Sequence, residues 1–498
     1  MRLRPMKFPL VASLVASAIL GAADRLHAQI PATPPPEFAA KKLSSTELEA
    51  ARKTASYRQF MAYLDAFNSG DRERIRRYVE TTYPAANLDG EMNFAQQTGG
   101  FDVRELQMAT PTTATGLVQE RNSDQFARFT IAVDSVAPHK ISRLLLRAVP
   151  RPAEYAIGRL PEGELVAALR AKLAKDVAAD RFSGTVMLAK LDGSRSRTVY
   201  SDAFGLADRE RRVSNTLDTK FRIGSMNKMF TATAILQLVQ AGKIKLSEPF
   251  GKYVTDYPNT DMASKVTIHH LLTHTGGTGD IFGPDFSTHR LELRTLNDYV
   301  ALYGKRGLRF EPGARWEYSN YGMTLLGVVI ERVTGQSYYD YVEQHIYRPA
   351  GMTNSGSLPE NEAVNGRSSG YMRRNGAWTL NTNTLPYRGT SAGGGYSTVR
   401  DLLAFATALM NNKLLNAEHT ALLTSGKVDV SEGAKYAYGF QEDRSNGELA
   451  FGHGGGAPGM NGELRIFPRT GYIVAVLSNL DPPAASQILQ FVQPRLPR

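Results

Sequence analysis

The sequence has no cysteine among its 498 residues. Disulfide bonds, zinc–thiolate sites and cysteine nucleophiles are therefore excluded, and the fold must be stabilised by packing. After residue 22 there is no apolar run near the roughly 20 residues that a membrane span needs. We therefore expect no stable membrane span. The composition, 42% hydrophobic and 21% charged, is that of a globular protein with a substantial core.

Clustered positive charge is also missing, although the net charge is +11. The lysines and arginines are scattered, and no basic stripe is interleaved with aromatic residues. Such a stripe is the electrostatic footprint of a nucleic-acid-binding protein, so we predict no nucleic-acid partner. The basic balance favours only weak attraction to anionic polymers of a cell envelope.

Residues 1–28 have the pattern of a signal peptide. Arg2, Arg4 and Lys7 precede an apolar stretch over residues 8–22, which is too short to span a bilayer. We predict cleavage after Ala28, with an uncleaved amphipathic anchor as the alternative. The pattern predicts a periplasmic or secreted protein.

Residues 29–40 form a proline-rich leader that cannot continue a helix. A small α+β domain is predicted over residues 41–148. Ser44 and Glu47 have the spacing of a capping box, and the apolar residues within 57–67 recur at helical spacing.

The second half of this domain alternates apolar and polar residues. Residues 115–121, 126–133 and 140–146 have the two-residue period of strands. Two helices followed by a meandering sheet, together with the phrase FNSGD at residues 67–71, resemble the nuclear-transport-factor-2-like fold, a cone with a pocket. The domain has no acid/base pair, and a fold alone does not give a function, so we predict an accessory or dimerising module.

A linker over residues 149–159 leads to a second domain over residues 160–498. The sequence predicts a strand at residues 184–190 near its start and a hairpin at 463–467 and 472–478 near its end. Because strands lie at both ends with helices between them, we predict an antiparallel sheet built from both termini. Helices flank this sheet, and a helical insert interrupts it.

Ser225 and Lys228 lie three residues apart where an amphipathic helix begins. At that spacing they share one face, so the lysine amine can sit beside the hydroxyl. The unpaired N–H groups of the helix start also favour a developing oxyanion. A serine hydroxyl needs such a neighbouring base to act as a nucleophile. Taken alone, the spacing also fits an ordinary surface helix start.

Tyr318 and Asn320 follow a Pro-Gly turn and precede an apolar helix over residues 323–333. Two residues apart in an extended segment, they would face the same side. If Tyr318 is a base, its pKa must fall from about 10, and Lys228 is the cation that could lower it. Alone, Tyr318 also fits a half-buried aromatic residue.

A glycine-rich segment, His453-Gly454-Gly455-Gly456, precedes the terminal hairpin. Glycines let a strand backbone approach a substrate closely. His453 could hydrogen-bond a substrate or move a proton. The alternative interpretation is a glycine-rich turn.

In this order the three motifs resemble the penicillin-recognising serine enzymes, in the branch of class C β-lactamases, D-amino-acid peptidases and family VIII esterases. The resemblance extends from about residue 160 to the C-terminus and includes residues 266–277 (VTIHHLLTHTGG) and 392–397 (AGGGYS). It implies a β-lactamase-like α+β fold without a cofactor. It also implies a serine hydrolase that cleaves a small-molecule ester, amide or peptide through an acyl-enzyme.

The resemblance also assigns catalytic roles. Ser225 matches the acylated nucleophile, Lys228 the lysine beside it, and Tyr318 the general base that later protonates the leaving group. Which of Lys228 and Tyr318 takes the serine proton stays open, as it does in related enzymes.

Substrate-binding residues are implied in the same way. Asn320 matches a contact to the substrate amide, and the backbone N–H groups of Ser225 and Gly456 match the oxyanion hole. The segment 453–456 stands where β-lactamases usually have a lysine and hydroxyl residues. The segment therefore lacks the ammonium and hydroxyl groups that would bind a β-lactam carboxylate, and we predict little β-lactamase activity.

A zinc site and two further functions are the alternatives. His270 and His274 are four residues apart, but the glutamate of a metalloprotease helix is missing and glycines follow, so we predict no metal.

An acyltransferase would pass the same acyl group to an alcohol or amine. A catalytically inert envelope-binding protein would use the N-terminal pocket, but the intact Ser225, Lys228 and Tyr318 argue against it.

Overall fold

The structure is a computed structural model that describes residues 43–374, 376–431, 433–444 and 447–498. The predicted signal peptide and leader, residues 1–28 and 29–40, lie outside the described residues. Spatial contacts divide the described chain into two units. The N-terminal unit holds the described residues of 43–181, 373–378 and 487–498, and the large unit those of 182–372 and 379–486.

The N-terminal unit begins with helices that side chains cap. Ser44 Oγ accepts a hydrogen bond from the Glu47 backbone N–H, and Glu47 accepts one from the Ser44 N–H at 2.8 Å, which is the predicted capping box. This first helix is short, because Thr54 caps a second helix that contains the predicted apolar run. The helices are α1 (Ser45–Arg52), α2 (Ala55–Asn68), α3 (Arg72–Thr82) and α4 (Leu88–Thr98).

An antiparallel meander follows these helices. Its strands are β1 (Phe101–Ala109), β2 (Thr113–Glu120), β3 (Phe126–Val133) and β4 (Ile141–Val149), and they lie side by side in that order. The three predicted strands correspond to β2, β3 and β4. Strand β1 was not predicted, because two register irregularities interrupt its alternation of apolar and polar residues. The aromatic rings of Phe60 and Phe129 stack 3.8 Å apart between α2 and β3.

A cavity of about 860 Å³ lies in the N-terminal unit and is lined by residues of α1, α2 and β1, among them Tyr57, Met61, Leu64 and Phe101. The unit also contains α5 (Glu162–Ala178), whose buried leucines recur at helical spacing. The resemblance of residues 41–148 to the nuclear-transport-factor-2-like fold stays a prediction.

The large unit is built on an antiparallel sheet. The strands from residue 184 to residue 397 are β5 (Gly184–Asp192), β6 (Arg195–Phe204), β7 (Leu206–Asp208), β8 (Val213–Ser214), β9 (Phe221–Arg222), β10 (Tyr371–Arg374), β11 (Ala377–Leu380) and β12 (Tyr396–Ser397), of which β10 and β11 each contain residues of both units. The later strands are β13 (Val428–Ser431), β14 (Ala434–Tyr436), β15 (Gln441–Asp443), β16 (Ala450–Ala457), β17 (Met460–Ile466) and β18 (Tyr472–Ser478).

In the part of the chain that the structure describes, the strand order of the main sheet is β13–β14–β15–β16–β17–β18–β5–β6. Strand β18, near the end of the chain, pairs with β5 near the start of the unit, from Ser478 opposite Gly184 to Tyr472 opposite Lys190. The predicted sheet built from both ends of the domain is therefore confirmed.

The predicted helical insert between β6 and β13 is also confirmed. Its helices are α6 (Asn227–Gln240), α7 (Thr260–Lys265), α8 (Ile268–Leu272), α9 (Pro284–His289), α10 (Leu296–Tyr303), α11 (Asn320–Thr334), α12 (Tyr338–Val342), α13 (Arg348–Ala350), α14 (Val399–Met410) and α15 (Ala417–Thr424). The last helix of the chain is α16 (Ala484–Val492). None of the helices within the described residues has the length and hydropathy to cross a membrane.

Helices α6 and α11 are central to this unit. Residues 227–236 of α6 and 320–330 of α11 are all buried, so neither helix has a polar face over these turns. Lys228 and Asn320 lie on these stretches and are therefore held inside the core rather than in water.

Candidate active site

Ser225 lies in a single 3₁₀ turn, Gly224–Met226, that leads directly into α6. Gly224 has a φ of 53°, a left-handed conformation that a side chain would strain. The Gly394 N–H donates a hydrogen bond to the Gly224 carbonyl oxygen at 3.1 Å and so ties this turn to the segment over residues 392–397, which is part of the resemblance. The nucleophile predicted from the sequence is thus half-buried at the start of a helix.

Strand β16 passes close to the serine turn, and this approach requires its glycines. A Cβ atom on Gly455 would lie 1.9 Å from the carbonyl oxygen of Ile223, and one on Gly224 would lie 3.2 Å from the backbone nitrogen of Gly456. Strand β15 pairs with residues 450–452 of β16, so this neighbour leaves the later part of that edge uncovered. The predicted substrate-binding glycines therefore present main-chain groups beside the serine turn.

Lys228 is one helical turn after Ser225, and its side chain is fully buried. Its Nζ lies 3.1 Å from Ser225 Oγ, 2.7 Å from Asn320 Oδ1 and 2.5 Å from the Ala392 carbonyl oxygen. None of these partners carries a charge, so no contacting carboxylate replaces the hydration that an ammonium loses here. Burial lowers the pKa of Lys228 to about 7, although the negative charge of Asp280 opposes this shift.

Tyr318 contacts both catalytic candidates. Its hydroxyl is hydrogen-bonded to Ser225, and Lys228 Nζ lies over its ring, 4.6 Å from the centroid. Burial raises the pKa of Tyr318, so the expectation that Lys228 lowers it is wrong. The physical reason is that Lys228 contacts the ring face, and burial disfavours the charged form of both groups. Tyr318 is therefore a neutral phenol at neutral pH.

Asn320 is the first residue of α11, so the expected extended segment ends one residue earlier. Ser319 caps this helix by accepting a hydrogen bond from the Gly322 N–H at 2.8 Å. Asn320 nevertheless reaches the site, because its Oδ1 accepts a hydrogen bond from Lys228. The structure thus brings Ser225, Lys228, Tyr318 and Asn320 together, although they come from two separate motifs.

His453 lies on β16 and is buried, with 2% of its surface exposed. Its Nδ1 lies 2.6 Å from the Gly454 carbonyl oxygen, which can only accept, so Nδ1 carries the proton. Its Nε2 therefore accepts from the Tyr436 hydroxyl at 3.0 Å. Burial and the nearby Lys228 lower the pKa of His453 to about 3, so the ring is neutral and both nitrogens have protein partners.

Three residues of the site were not predicted from the sequence. Asp280 hydrogen-bonds Asn320. The His274 ring packs on Tyr318 with centroids 4.4 Å apart and on Tyr436 with centroids 4.5 Å apart. His274 has a φ of 59°, which is unusual for a residue with a side chain and is a signal of functional sites. His274 lies in the motif over residues 266–277 that is part of the resemblance, but no pattern around Asp280 or Tyr436 marks them.

The two histidines spaced like zinc ligands, His270 and His274, accept hydrogen bonds from backbone N–H groups. The Nδ1 atom of His270 accepts a hydrogen bond from the Thr267 N–H, and that of His274 accepts one from the Ser319 N–H at 3.2 Å. Within the described residues, no group of three or more histidine, cysteine, aspartate or glutamate side chains could hold a metal ion.

The chain is similar to a known protein family and to characterised relatives. A family model described as Beta-lactamase matches residues 169–493. Esterase EstB of Burkholderia gladioli is 33% identical over 221 residues, which are 41% of this chain and 55% of the esterase.

Solved structures are similar as well. The penicillin binding protein from Bacillus halodurans is 32% identical with a TM-score of 0.58, and the match covers 64% of this chain and 98% of that one. A D-stereospecific amidohydrolase from Streptomyces sp. is 29% identical with a TM-score of 0.53, and its match covers 66% of this chain and 98% of that one.

The family match includes every motif that carries the site, from Ser225 to Gly456, and spans well over half of the chain. The solved relatives confirm the predicted β-lactamase-like α+β fold. The chain therefore belongs to the β-lactamase family and is a serine hydrolase.

Proposed function

We propose that this protein hydrolyses a small-molecule ester or amide through an acyl-enzyme on Ser225, with Lys228 as general base and Tyr318 as the acid that protonates the leaving group. One observation carries the proposal. Lys228 Nζ lies 3.1 Å from Ser225 Oγ at a site where burial lowers its pKa to about 7. A large fraction of Lys228 is then a neutral amine at neutral pH, and a neutral amine can accept the serine proton.

Acylation begins when Ser225 Oγ attacks the substrate carbonyl carbon and its proton passes to Lys228 Nζ. The tetrahedral oxyanion then collapses, and the bond from the carbonyl carbon to the leaving oxygen or nitrogen breaks. The Tyr318 hydroxyl gives its proton to that leaving atom, and the proton on Lys228 restores the phenol. Water attacks the Ser225 ester with the same groups acting in reverse, which releases the acid and regenerates the serine hydroxyl.

The oxyanion would be bound by the backbone N–H groups of Ser225 and Gly456. Two features support this assignment. Ser225 lies at the N-terminal end of α6, where backbone N–H groups favour negative charge. The Gly455 position tolerates no side chain, so β16 can bring the Gly456 backbone next to the serine turn.

Substrates without a carboxylate at the β16 edge suit this site best. His453 stands where the resemblance places a lysine, and it is neutral, buried and hydrogen-bonded through both nitrogens. It therefore supplies no positive charge to the carboxylate of a β-lactam. The similarity to an esterase and to a D-stereospecific amidohydrolase supports neutral esters and amides as the substrate class.

We further propose that the protein is exported and that residues 1–28 are removed. The basic start and short apolar stretch of the sequence support this proposal. The mass of the protein purified from its source tests it. We expect an N-terminus at Gln29, and a protein that still begins at Met1 would contradict it.

Residues 41–148 are proposed to form an accessory domain with the nuclear-transport-factor-2-like fold, joined by residues 149–159 to the hydrolase domain, residues 160–498. The helices followed by an antiparallel meander and the cavity of about 860 Å³ support this assignment. Purifying residues 41–148 alone tests it, since an independent domain should unfold cooperatively.

Labelling with a fluorophosphonate tests the catalytic proposal. We expect the wild-type protein to gain one label, located on Ser225 by peptide mass spectrometry, and Ser225→Ala to gain none. Ser225→Ala should also lose p-nitrophenyl ester hydrolysis by about 10³-fold or more, with an unchanged circular dichroism spectrum. An unlabelled but folded wild-type protein would instead support the inert binding protein.

Hydrolysis and acyl transfer are separated by the products. An added alcohol or amine competes with water for the same acyl-enzyme. We expect the free acid to be the main product in buffer containing a millimolar alcohol or amine. A dominant ester or amide product would favour the acyltransferase.

A further inference from the structure

Asp280 lies in the loop after α8 and binds Asn320 through both carboxylate oxygens. Its Oδ1 accepts hydrogen bonds from the backbone N–H groups of Asn320 at 3.0 Å and Ile281 at 2.8 Å. Its Oδ2 accepts from the side-chain Nδ2 of Asn320 at 3.3 Å. The same residue thus holds the first turn of α11 and the side-chain amide on it.

A carboxylate only accepts hydrogen bonds, so Asp280 selects one of the two orientations of the Asn320 amide. The NH₂ group must face Asp280, and Oδ1 then faces Lys228 Nζ at 2.7 Å. In the opposite orientation, the NH₂ group would direct its hydrogens at those of Lys228. The second N–H of Nδ2 stays available for the substrate contact that the resemblance implies.

Asp280 is also the carboxylate that acts on Lys228 electrostatically. Its negative charge favours the ammonium form. The other titratable groups around the amine are the Tyr318 phenol and the His274 and His453 rings, and the amine in turn lowers the pKa of both histidines. Removing the Asp280 charge therefore removes the group that opposes the effect of burial on Lys228.

The flanking groups of Asp280 do not share this role. Arg306 donates to the Asp280 backbone oxygen at 3.0 Å, and its second guanidinium nitrogen pairs with Asp285 at 2.8 Å. Tyr303 is the remaining titratable neighbour, and burial raises its pKa. None of these side chains directs the Asn320 amide.

We propose that Asp280 is a positioning residue, which orients the Asn320 amide so that its oxygen holds Lys228 Nζ in line with Ser225. This inference rests on the proposed function of Ser225 and Lys228. It assigns to Asp280 two separable effects, one on the geometry of the amine and one on its protonation.

Asp280→Asn is the test, because it keeps the shape and one acceptor but turns the second oxygen into a donor. That donor would face the Asn320 NH₂ group, so the Asn320 amide must rotate away from its present orientation. We expect kcat/KM for a p-nitrophenyl ester to fall about tenfold or more. We also expect the acidic limb of its pH profile to move to lower pH by about half a unit or more, because the ammonium loses its carboxylate.

Asp285→Asn is the matched control, since it makes the same substitution at an exposed carboxylate nearby in the chain, and it should keep the wild-type rate and profile. Asp280→Glu keeps the charge, and we expect a lower rate with the limb unmoved. If Asp280→Asn fails to fold, Asp280→Ser removes the same charge and must shift the limb in the same direction.

Two outcomes would overturn the inference. One is a charge-removing variant at position 280 whose rate stays within about twofold of wild type. The other is a charge-removing variant at position 280 that loses activity while its pH limb stays in place, which would mean a structural role alone. Fluorophosphonate labelling of wild-type Ser225 in the same experiment tests the proposed function separately. If the wild type is not labelled, the proposed function fails before the role of Asp280 is reached.

Discussion

Two lysines, one in each unit, have opposite surroundings, and Lys172 is partly buried whereas Lys228 is fully buried. In the N-terminal unit, Lys172 forms an ion pair with Asp176, which also binds Arg181 at 2.6 Å. In the large unit, Lys228 contacts the Ser225 hydroxyl and two amide-type oxygens, all of them neutral. Burial lowers the pKa of both lysines, but a carboxylate in direct contact opposes it only at Lys172. A contacting carboxylate keeps a buried lysine charged, and neutral partners make it a base.

The largest expected effect comes from the same substitution at the two sites. Lys228→Met should lower kcat for ester hydrolysis by about 10³-fold or more, because it removes the base beside Ser225. Lys172→Met should leave kcat within about twofold, since Lys172 belongs to an ion pair in the other unit. Steady-state kinetics on both purified variants checks this. Near-wild-type turnover by folded Lys228→Met would refute the role of the amine.

Tyr318→Phe tests whether Lys228 supports catalysis without the Tyr318 hydroxyl. Its expected loss is smaller, about 10²-fold in kcat, because the leaving group loses its acid while Lys228 still deprotonates Ser225. Burial raises the pKa of Tyr318, so we also expect no recovery of activity in Lys228→Met between pH 8 and 10. Alkaline recovery in that variant would mean that the phenolate is the base after all.

Nitrocefin hydrolysis tests whether a cation other than Lys228 binds a substrate carboxylate at this site. The neutral, buried His453 supplies no charge at the β16 edge, so it cannot pair with a substrate carboxylate there. We expect kcat/KM for nitrocefin well below the ~10⁶ M⁻¹s⁻¹ of an efficient enzyme. Turnover above that value would show that another group binds the carboxylate.

The smallest effects are on stability, and they have opposite signs at the two lysines. Lys172→Met leaves Asp176 with Arg181 alone and should lower the free energy of unfolding by about 1–3 kcal/mol. Lys228→Met should raise it. The pKa of Lys228 is about 7 in the folded protein and about 10.5 unfolded, so the unfolded state binds more protons between these values. The penalty is therefore complete below pH 7 and disappears as the pH approaches about 10.5.

Urea denaturation at pH 6, 8 and 10 measures these differences. The gain in stability from Lys228→Met should shrink as the pH rises, and the loss from Lys172→Met should not follow that trend. A gain at Lys228 that is independent of pH would mean that its folded pKa is close to the ordinary value.

Local patterns in the sequence predicted the residues that carry the chemistry. Ser225 and Lys228 share a helix start, and Tyr318 and Asn320 share a short motif, so spacing alone brings each pair together. The sheet from both ends of the large unit was predictable for the same reason, since its strands alternate or are continuously apolar.

The properties that depend on packing were not predictable. Whether a cation lowers the pKa of Tyr318 depends on which face of the ring Lys228 contacts and on how deeply both groups are buried. Asp280 and Tyr436 reach the site from a loop and a strand far away in the chain, with no motif around them. Strand β1 was not predicted from the sequence, because its irregular register breaks the alternation of apolar and polar residues on which strand prediction depends.

The central claim is that Lys228, as a neutral amine, takes the proton of Ser225. The most direct measurement is the pH dependence of the rate at which a fluorophosphonate labels Ser225, in the wild-type protein and in Tyr318→Phe. We expect labelling to accelerate as the pH rises through about 7, with the same midpoint in both proteins. A midpoint near 10, or one that disappears in Tyr318→Phe, would contradict this claim.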